Sequence, residues 1–382
     1  MTVRVAIVGQ GYVGRELGLS AKKVGHEVIG IEIDEARVEA LNNSVPYFVC
    51  SDYSRVVDFE IVVIAVPTPL SPERKPDLSF IRAACNSLRG VLSSGTLVIN
   101  ESTSYPGTLR NVIAPILGDE ILYASAPERV DPGNKDWIIE NTPRLVSGLD
   151  QEASLKVEEF YRSMCSSVIR VSSPEVAEAA KLFENSFRQV NIALVNEFSQ
   201  IAHALGISTY ETLLAASTKP FGFMRFLPSI GVGGHCIPVD PLYLSFAAEK
   251  VGVKSSFINL ANEINESMPN HIATRIAQMF GGDLSSKLIQ IVGISYKADV
   301  SDVRESPAIK LMTKLRQMGA IVLWHDDLVG EWNNEYSSVI QSVDLGIIAT
   351  FHQEVNLELW RESNTLVIDV SMDPNTDWSK FL

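Results

Sequence analysis

Cysteine is scarce in this chain: Cys50, Cys85, Cys165 and Cys236 are the only four in 382 residues. No two stand at C-x-x-C spacing, which argues against a zinc or redox pair and against a disulfide framework, so no metal site is expected. Long apolar runs are missing too. None reaches the ~18 residues that a bilayer span needs, and no membrane partner is expected. Basic residues are outnumbered, with 32 Lys and Arg against 46 Asp and Glu, a net charge of −14. That balance disfavours a nucleic-acid partner, which calls for clustered cations, but leaves room for a small anionic ligand held by a few local charges. There is no short-period repeat and no low-complexity tract. The opening, MTVRVAIVGQGYVG, reads as a strand and a glycine turn rather than a signal peptide. The expected compartment is the cytoplasm, with the cysteines reduced.

What is present is ordinary globular sequence, 46% hydrophobic and 20% charged. At about 150 residues per domain, its length suggests two or three domains. Short valine- and isoleucine-rich runs at Val3–Val8, Glu27–Ile33, Ile61–Val66, Thr96–Asn100, Ile121–Ser125 and Leu145–Ser147 read as buried parallel strands. The stretch Tyr12–Val24 reads as the helix of an opening βαβ unit. From Ser173-Pro174-Glu175 to Gly206 nothing breaks a helical apolar pattern. Such a helix of about 32 residues would be roughly 48 Å long and would bridge domains or pack on a partner. After a loop from Lys219 to Pro241, helical sequence resumes to about Phe280. Strands are then expected at Leu288–Ile294, Ile321–His325, Val343–Thr350 and Leu366–Val370, with a helix at Pro307–Gly319 capped by Ser306. The expected class is α/β: an N-terminal Rossmann domain at 1–172, a central helical region with a long bridging helix at 173–282, and a C-terminal Rossmann-like α/β domain at 283–382.

Four segments carry chemistry. Gly9-Gln10-Gly11-Tyr12-Val13-Gly14 is a G-x-G-x-x-G turn between strand and helix, with Glu32 at the end of the second strand. Gly9 makes the turn, Gly11 admits a pyrophosphate, Gly14 lets helix and strand approach, and Glu32 would accept from the adenosine ribose, which favours NAD over NADP. Arg37 lies against the adenine side or is a solvated helix residue. Gly233-Gly234-His235-Cys236-Ile237-Pro238-Val239-Asp240 places a cysteine among glycines that would admit a ligand, which makes Cys236 a candidate nucleophile. Lys181 and Asn185 share a helix face that either lines a pocket or meets solvent, and Arg188 continues it. Pro127–Asn134 follows a strand, so Glu128 is placed at the crevice edge for general-base work; the bland alternative is a solvated loop carboxylate.

Together with Val66-Pro67-Thr68-Pro69, Glu101-Ser102-Thr103 and Asp302–Pro307, these segments resemble the UDP-glucose/GDP-mannose dehydrogenase family over almost the whole chain. The resemblance implies oxidation of the C6 alcohol of a UDP-sugar to a carboxylate with two NAD and one water. By that resemblance Cys236 attacks the intermediate aldehyde, Lys181 and Asn185 stabilise the oxyanion, Asp240 and Thr103 hold and deprotonate a water, and Glu128 activates the hydrolytic water. The cofactor contacts implied are Gly9, Gly11, Tyr12, Val13, Gly14, Glu32, Arg37, Pro67, Thr68, Thr103 and Arg304. Those for the substrate are Glu128, Arg129, Val130, Lys181, Asn185, Phe221, Gly222, Phe223, Gly233, Gly234 and Lys297, the last on the uridine diphosphate. A homodimer built on the long helix is expected.

PERVDPGN at 127–134, the stretch 218–224 and GGHCIPVDP at 233–241 look like the branch acting on UDP-N-acetylglucosamine. Val239 stands where UDP-glucose enzymes carry lysine, and is expected to leave room for, and pack against, an acetamido methyl. Alternatives are UDP-N-acetylmannosamine or UDP-glucose, a single-hydride β-hydroxyacid-type dehydrogenase, and a non-catalytic nucleotide-sugar sensor; NADH counted per sugar separates the first two classes. The chain departs from the family pattern at Glu32 for aspartate, Arg225 for proline, Asp327 for proline, and in a short segment at 42–58.

Overall fold

Runs of Val and Ile too short for a helix form the strands, and their burial on both faces is what a helix-covered parallel sheet requires. The structure is a computed structural model that describes residues 2–131, 133–363 and 365–382. The elements run β1 (Arg4–Val8), α1 (Tyr12–Lys23), β2 (Glu27–Ile31), α2 (Glu35–Asn42), β3 (Phe48–Cys50), β4 (Ile61–Ile64), α3 (Ser79–Leu88), β5 (Leu97–Asn100), α4 (Ala114–Leu117), β6 (Leu122–Ser125), β7 (Arg144–Gly148), α5 (Gln151–Arg162) and β8 (Val168–Arg170). Helices follow: α6 (Pro174–Leu205), α7 (Thr209–Ser217), α8 (Asp240–Lys250) and α9 (Ser256–Met279). Last come β9 (Leu288–Val292), α10 (Pro307–Gln317), β10 (Ile321–His325), β11 (Glu331–Trp332), β12 (Glu335–Tyr336), β13 (Leu345–Ile348), α11 (Glu358–Glu362) and β14 (Leu366–Asp369).

The chain divides into two compact units, Met1–Glu184 with Leu242–Lys254, and Asn185–Pro241 with Ser255–Leu382. The first is built on an eight-stranded sheet of order β3-β2-β1-β4-β5-β6-β7-β8. Strands β3 to β6 are parallel, with the order reversing beside β1, the arrangement that opens a ligand crevice at the carboxyl ends. One expectation is corrected. The strand read at Leu145–Ser147 is not parallel to its neighbour: β7 runs antiparallel to β6, Ser147 opposite Ser125. Among the described residues no long crossover helix separates the two strands, and a parallel crossover needs one. Strands β3 and β8 escaped the sequence reading because each is a three-residue edge piece. Asp34 and Asp150 cap α2 and α5 by accepting from Ala36 and Arg37, and from Ala153.

The second unit carries the four-stranded parallel sheet β10-β9-β13-β14. Its core joins Ile289, Ile291, Leu345 and Ile347 of the sheet to Leu311, Met312 and Leu315 of α10 and to Met268, Ile272 and Ile276 of α9. Ser306 stands at the N-cap position of α10 as expected, but makes no side-chain capping bond. Helix α6 is the single 32-residue helix that its uninterrupted pattern predicted. Among the described residues no helix is long and apolar enough to cross a membrane.

The two sheets share one tight constraint. Gly9 and Gly293 each follow the first strand of their sheet with φ +92° and +80°. A Cβ on Gly293 would stand 2.0 Å from the Thr350 carbonyl oxygen. Gly293→Ala is therefore expected to lower stability by at least ~1–3 kcal/mol, through a left-handed backbone and a backbone clash together. Urea unfolding followed by circular dichroism measures it; an unchanged midpoint would contradict the packing described.

Candidate active site

The glycine turn is built by steric exclusion. A Cβ on Gly9 would lie 2.4 Å from the Ala65 carbonyl oxygen, and one on Gly14 would lie 1.9 Å from the Gly9 carbonyl oxygen. Both positions are closed to any other residue by backbone. Gly11 differs: a Cβ there would meet nothing within 4 Å. It is the N-cap of α1, whose first N–H groups have no helical partners, so the open space above it fits a pyrophosphate. Glu32, at the carboxyl end of β2, is nearly buried and accepts through Oε1 from the backbone N–H groups of Ile33 (2.9 Å) and Asp34 (3.3 Å). Its Oε2 lies 3.6 Å from Arg37. Arg37 also donates to the Gln10 carbonyl at 2.8 Å, so it braces the glycine turn. The first unit thus holds a cradle suited to NAD. Thr68 is buried, Pro67 and Tyr12 are exposed, and Thr103 is half-buried just past β5.

Past the carboxyl ends of β5 and β6 lies a buried charge cluster. Arg144 Nη2 donates to Glu128 Oε2 at 2.6 Å, and its Nη1 stands 3.3 Å from Glu101 Oε1. Glu128 Oε1 accepts from the N–H groups of Arg129 and Val130, both at 2.7 Å. Burial opposes ionisation of Glu128, but the Arg144 charge, the Val130 N–H and Lys181 outweigh it and hold this carboxyl below its ordinary range. Both carboxylate oxygens of Glu128 are thus engaged and its basicity is reduced. Its main-chain carbonyl has a different partner, the Lys181 ammonium at 2.7 Å. Arg129 forms a forked pair with Glu184 at 3.1 and 2.7 Å, and donates to the Pro143 carbonyl. Val130 packs at the margin of the first core. Pro132, within the stretch at 127–134, lies outside the described residues.

In the second unit Asn185 Nδ2 donates to Asp240 Oδ2 at 2.6 Å, with Asp240 fully buried at the start of α8. Cys236 is exposed, and its carbonyl accepts from Val239 (3.1 Å) and Asp240 (2.8 Å) in the turn entering α8. The other three cysteines are buried or half-buried; burial pushes the Cys85 thiol up to about 12.

The glycines before Cys236 serve a purpose other than the one expected. A Cβ on Gly233 would lie 2.8 Å from Tyr296 Cβ, and one on Gly234, at φ +81°, would lie 2.7 Å from the Tyr296 ring. They admit the 295–306 loop rather than a ligand. That loop is pinned to the cysteine turn by the Gly234 N–H on the Arg304 carbonyl at 2.9 Å. Arg304 itself is forked onto Asp302, at 2.6 Å from Nη2. Val239 is buried, with 6% of its surface exposed. Phe221 and Phe223 are exposed on either side of Gly222, which has φ +68°, and Lys219 lies over the Phe221 ring at 5.0 Å. Lys297 is half-buried in the loop after β9.

Sequence reading missed Arg144 and Tyr161, and used Glu101 only as part of a motif. An arginine opening an otherwise apolar strand, Arg144-Leu-Val-Ser-Gly, was the available signal.

A glycine-turn cradle at the carboxyl ends of a doubly wound parallel sheet is the dinucleotide site of the Rossmann class, to which nucleotide-dependent dehydrogenases belong. Models of the UDP-glucose/GDP-mannose dehydrogenase family match along the chain: the NAD binding domain at residues 3–49 and 45–165, the central domain at 175–267 and the UDP binding domain at 290–372. The UDP-N-acetyl-D-mannosamine dehydrogenase of Pyrococcus horikoshii is 33% identical over 94% of this chain and 91% of its own. The UDP-N-acetyl-D-glucosamine 6-dehydrogenase of Salmonella typhi is 30% identical over 92% and 90%. The solved UDP-D-ManNAc dehydrogenase of P. horikoshii superposes with a TM-score of 0.87 at 30% identity, covering 98% of this chain and 97% of that one. The chain belongs to the UDP-glucose/GDP-mannose dehydrogenase family. It is an NAD-dependent UDP-sugar dehydrogenase.

Gly11→Val separates folding from cofactor binding, because the added Cβ has no atom within 4 Å and the side chain enters the pyrophosphate space. Its melting temperature is expected to match that of the parent, with NADH affinity at least ~10-fold weaker, a loss of about 1.4 kcal/mol. Fluorescence titration reads the affinity; equal binding by both proteins would remove the cradle from Gly11.

Proposed function

We propose that this enzyme oxidises C6 of a UDP-N-acetylhexosamine to the carboxylate, with UDP-N-acetylglucosamine as substrate. The supporting observation is the exposed Cys236 on the turn that leads into buried Asp240, whose carboxylate accepts from Asn185 of α6. NAD, when bound, accepts one hydride at each of the two oxidations. Asp240 and Thr103 hold and deprotonate a water. Cys236 adds through sulfur to the C6 aldehyde, giving a thiohemiacetal and confining a reactive carbonyl. Loss of the second hydride leaves a thioester, which water cleaves to carboxylate and free thiol. Lys181 and Asn185 donate to the oxyanion at each tetrahedral stage. Glu128 contributes by fixing Lys181 through its carbonyl. On the nucleotide side, Phe221, Gly222, Phe223 and Lys297 take the UDP, and Arg304 meets the cofactor.

UDP-N-acetylmannosamine is the second reading, favoured by the names of the relatives from P. horikoshii and Methanocaldococcus jannaschii, at 33% and 31% identity. The two epimers differ only at C2, remote from the reacting carbon. A homodimer is part of the same proposal, because α6 exposes Phe183, Phe187, Leu194, Ile201 and Leu205.

The purified enzyme, assayed on both N-acetyl epimers and on UDP-glucose, is expected to turn over UDP-N-acetylglucosamine fastest with two NADH formed per sugar. Preference for the mannosamine selects the second reading, and preference for UDP-glucose overturns the proposal. Cys236→Ser is expected to lose full oxidation, at least ~10³-fold in rate, while still retaining the nucleotide sugar. Light scattering at micromolar protein is expected to give twice the chain mass; a monomer contradicts the helix-based dimer.

A further inference from the structure

The buried cluster of the first unit holds two carboxyl groups around one guanidinium, and they are not equivalent. Glu128 is saturated: Arg144 at 2.6 Å on Oε2, and two backbone N–H groups at 2.7 Å on Oε1. Glu101 is poorly served. Its Oε1 takes the Tyr161 hydroxyl and a longer 3.3 Å approach from Arg144, and its Oε2 is buried with no hydrogen-bond partner among the described residues. Arg144, Glu101 and Glu128 are all at least nine-tenths buried.

With both acids ionised the set would carry one net negative charge inside the protein, and one carboxylate oxygen would have no donor. With one proton retained the set is neutral. Desolvation favours the neutral set, and the proton settles on the acid with fewer donors, Glu101. The pKa directions agree: burial pushes Glu101 up to about 7 against the pull of Arg144, whereas Glu128 is held low. The other groups facing Glu101 are Tyr161 and Cys165, on α5 and the turn after it, and Lys181 on α6.

We propose that Glu101 and Arg144 are positioning residues of the reaction: a protonated Glu101 leaves the guanidinium to Glu128, whose carbonyl is thereby held against the Lys181 ammonium. The chain of contacts is continuous, from Glu101 through Arg144 and the Glu128 carboxylate to the Glu128 carbonyl and Lys181 Nζ. When Glu101 ionises it competes for Arg144, the grip on Glu128 slackens, and Lys181 loses its fixed acceptor. Misplacement of a catalytic group by about 1 Å can cost ~10²-fold in rate. The proposal rests on the role given to Lys181 above.

The test uses the full-length enzyme with NAD and its preferred UDP-sugar, with kcat and KM measured from pH 6 to 9. The parent is expected to lose kcat through one ionisation near pH 7 on the alkaline side. Glu101→Gln, which keeps the neutral state at every pH, is expected to lose that ionisation from its profile. Arg144→Lys keeps the charge but not the fork, and is expected to lower kcat at least ~10-fold with KM for NAD changed far less. Identical profiles for the parent and Glu101→Gln overturn the proposal even if Arg144→Lys fails to fold. Lys181→Ala and Cys236→Ser are run alongside. If those two abolish turnover and Glu101→Gln leaves the profile unchanged, the positioning proposal alone falls. If they leave turnover intact, the reading of the site falls with it.

Discussion

The buried guanidinium of Arg144 is the interaction on which the catalytic edge of the first unit depends. Charged groups are rarely buried without partners, because removing them from water is expensive. Arg144 is matched to Glu128 and approached by Glu101, and it lies over the Tyr161 ring at 4.9 Å. These contacts join the ends of β5 and β6 to the start of β7 and to α5. The loop after β6 owes its conformation to them: the Glu128 carboxylate gathers the N–H groups of Arg129 and Val130 and so curls the chain back on itself. The carbonyl that meets Lys181 belongs to the same residue, so an electrostatic pair inside the sheet edge is coupled to the placement of a proposed catalytic lysine on α6.

The two sheets solve the turn after their first strand in the same way and then diverge. Gly9 and Gly293 both sit in the left-handed region, each with its N–H on a neighbouring strand end, Ile31 and His325, at 2.8 Å. After Gly9 come Gly11 and Gly14, and the chain enters α1 with its first N–H groups turned outward. After Gly293 the next two N–H groups, of Ile294 and Ser295, are taken by Asp326 Oδ2 at 2.9 and 3.1 Å. Burial opposes ionisation of Asp326, but hydrogen bonds from His352, Ser295 and Leu328 outweigh it and hold its carboxyl down at about 2. A carboxylate already occupies the position that a phosphate would need. The sequence after β9, Gly293-Ile294-Ser295-Tyr296-Lys297-Ala298, has no G-x-G-x-x-G, and this is its structural counterpart.

Elements with one dominant signal were legible in the sequence. The 32-residue α6 followed from an unbroken apolar stripe between Pro174 and Gly206, and β10 from Ile321–His325 was read to the residue. The glycine turn was legible because each glycine answers a separate steric demand. What was not legible was direction. Leu145–Ser147 was recognised as a strand, but periodicity carries no information on whether a strand runs with or against its neighbour. Read as parallel, β7 would place Arg144 at the amino edge, far from the crevice; antiparallel, it brings Arg144 beside Glu128. One wrong direction therefore hid the partner that determines what Glu128 can do. The glycines at 233 and 234 were misread for a related reason, since the side chain that demands them, Tyr296, lies more than sixty residues away in the chain.

That demand changes what the GGHC segment means. A glycine beside a nucleophile is easily assigned to substrate access, yet here both glycines make room for the 295–306 loop, and the loop's Arg304 carbonyl receives the Gly234 N–H. The backbone leading into Cys236 is thus held by the α/β part of its own unit, the part matched by the family's UDP binding domain. The 295–306 loop, which carries the Lys297 and Arg304 proposed to meet the ligands, also fixes the cysteine turn, so one piece of chain couples two requirements. In the reaction proposed above, a diphosphate seated on Lys297 and the thiol of Cys236 would share that support, so that the sulfur would be best ordered with the sugar nucleotide present. Reaction through a covalent thiohemiacetal needs that order, because the aldehyde must meet the thiol faster than it meets water.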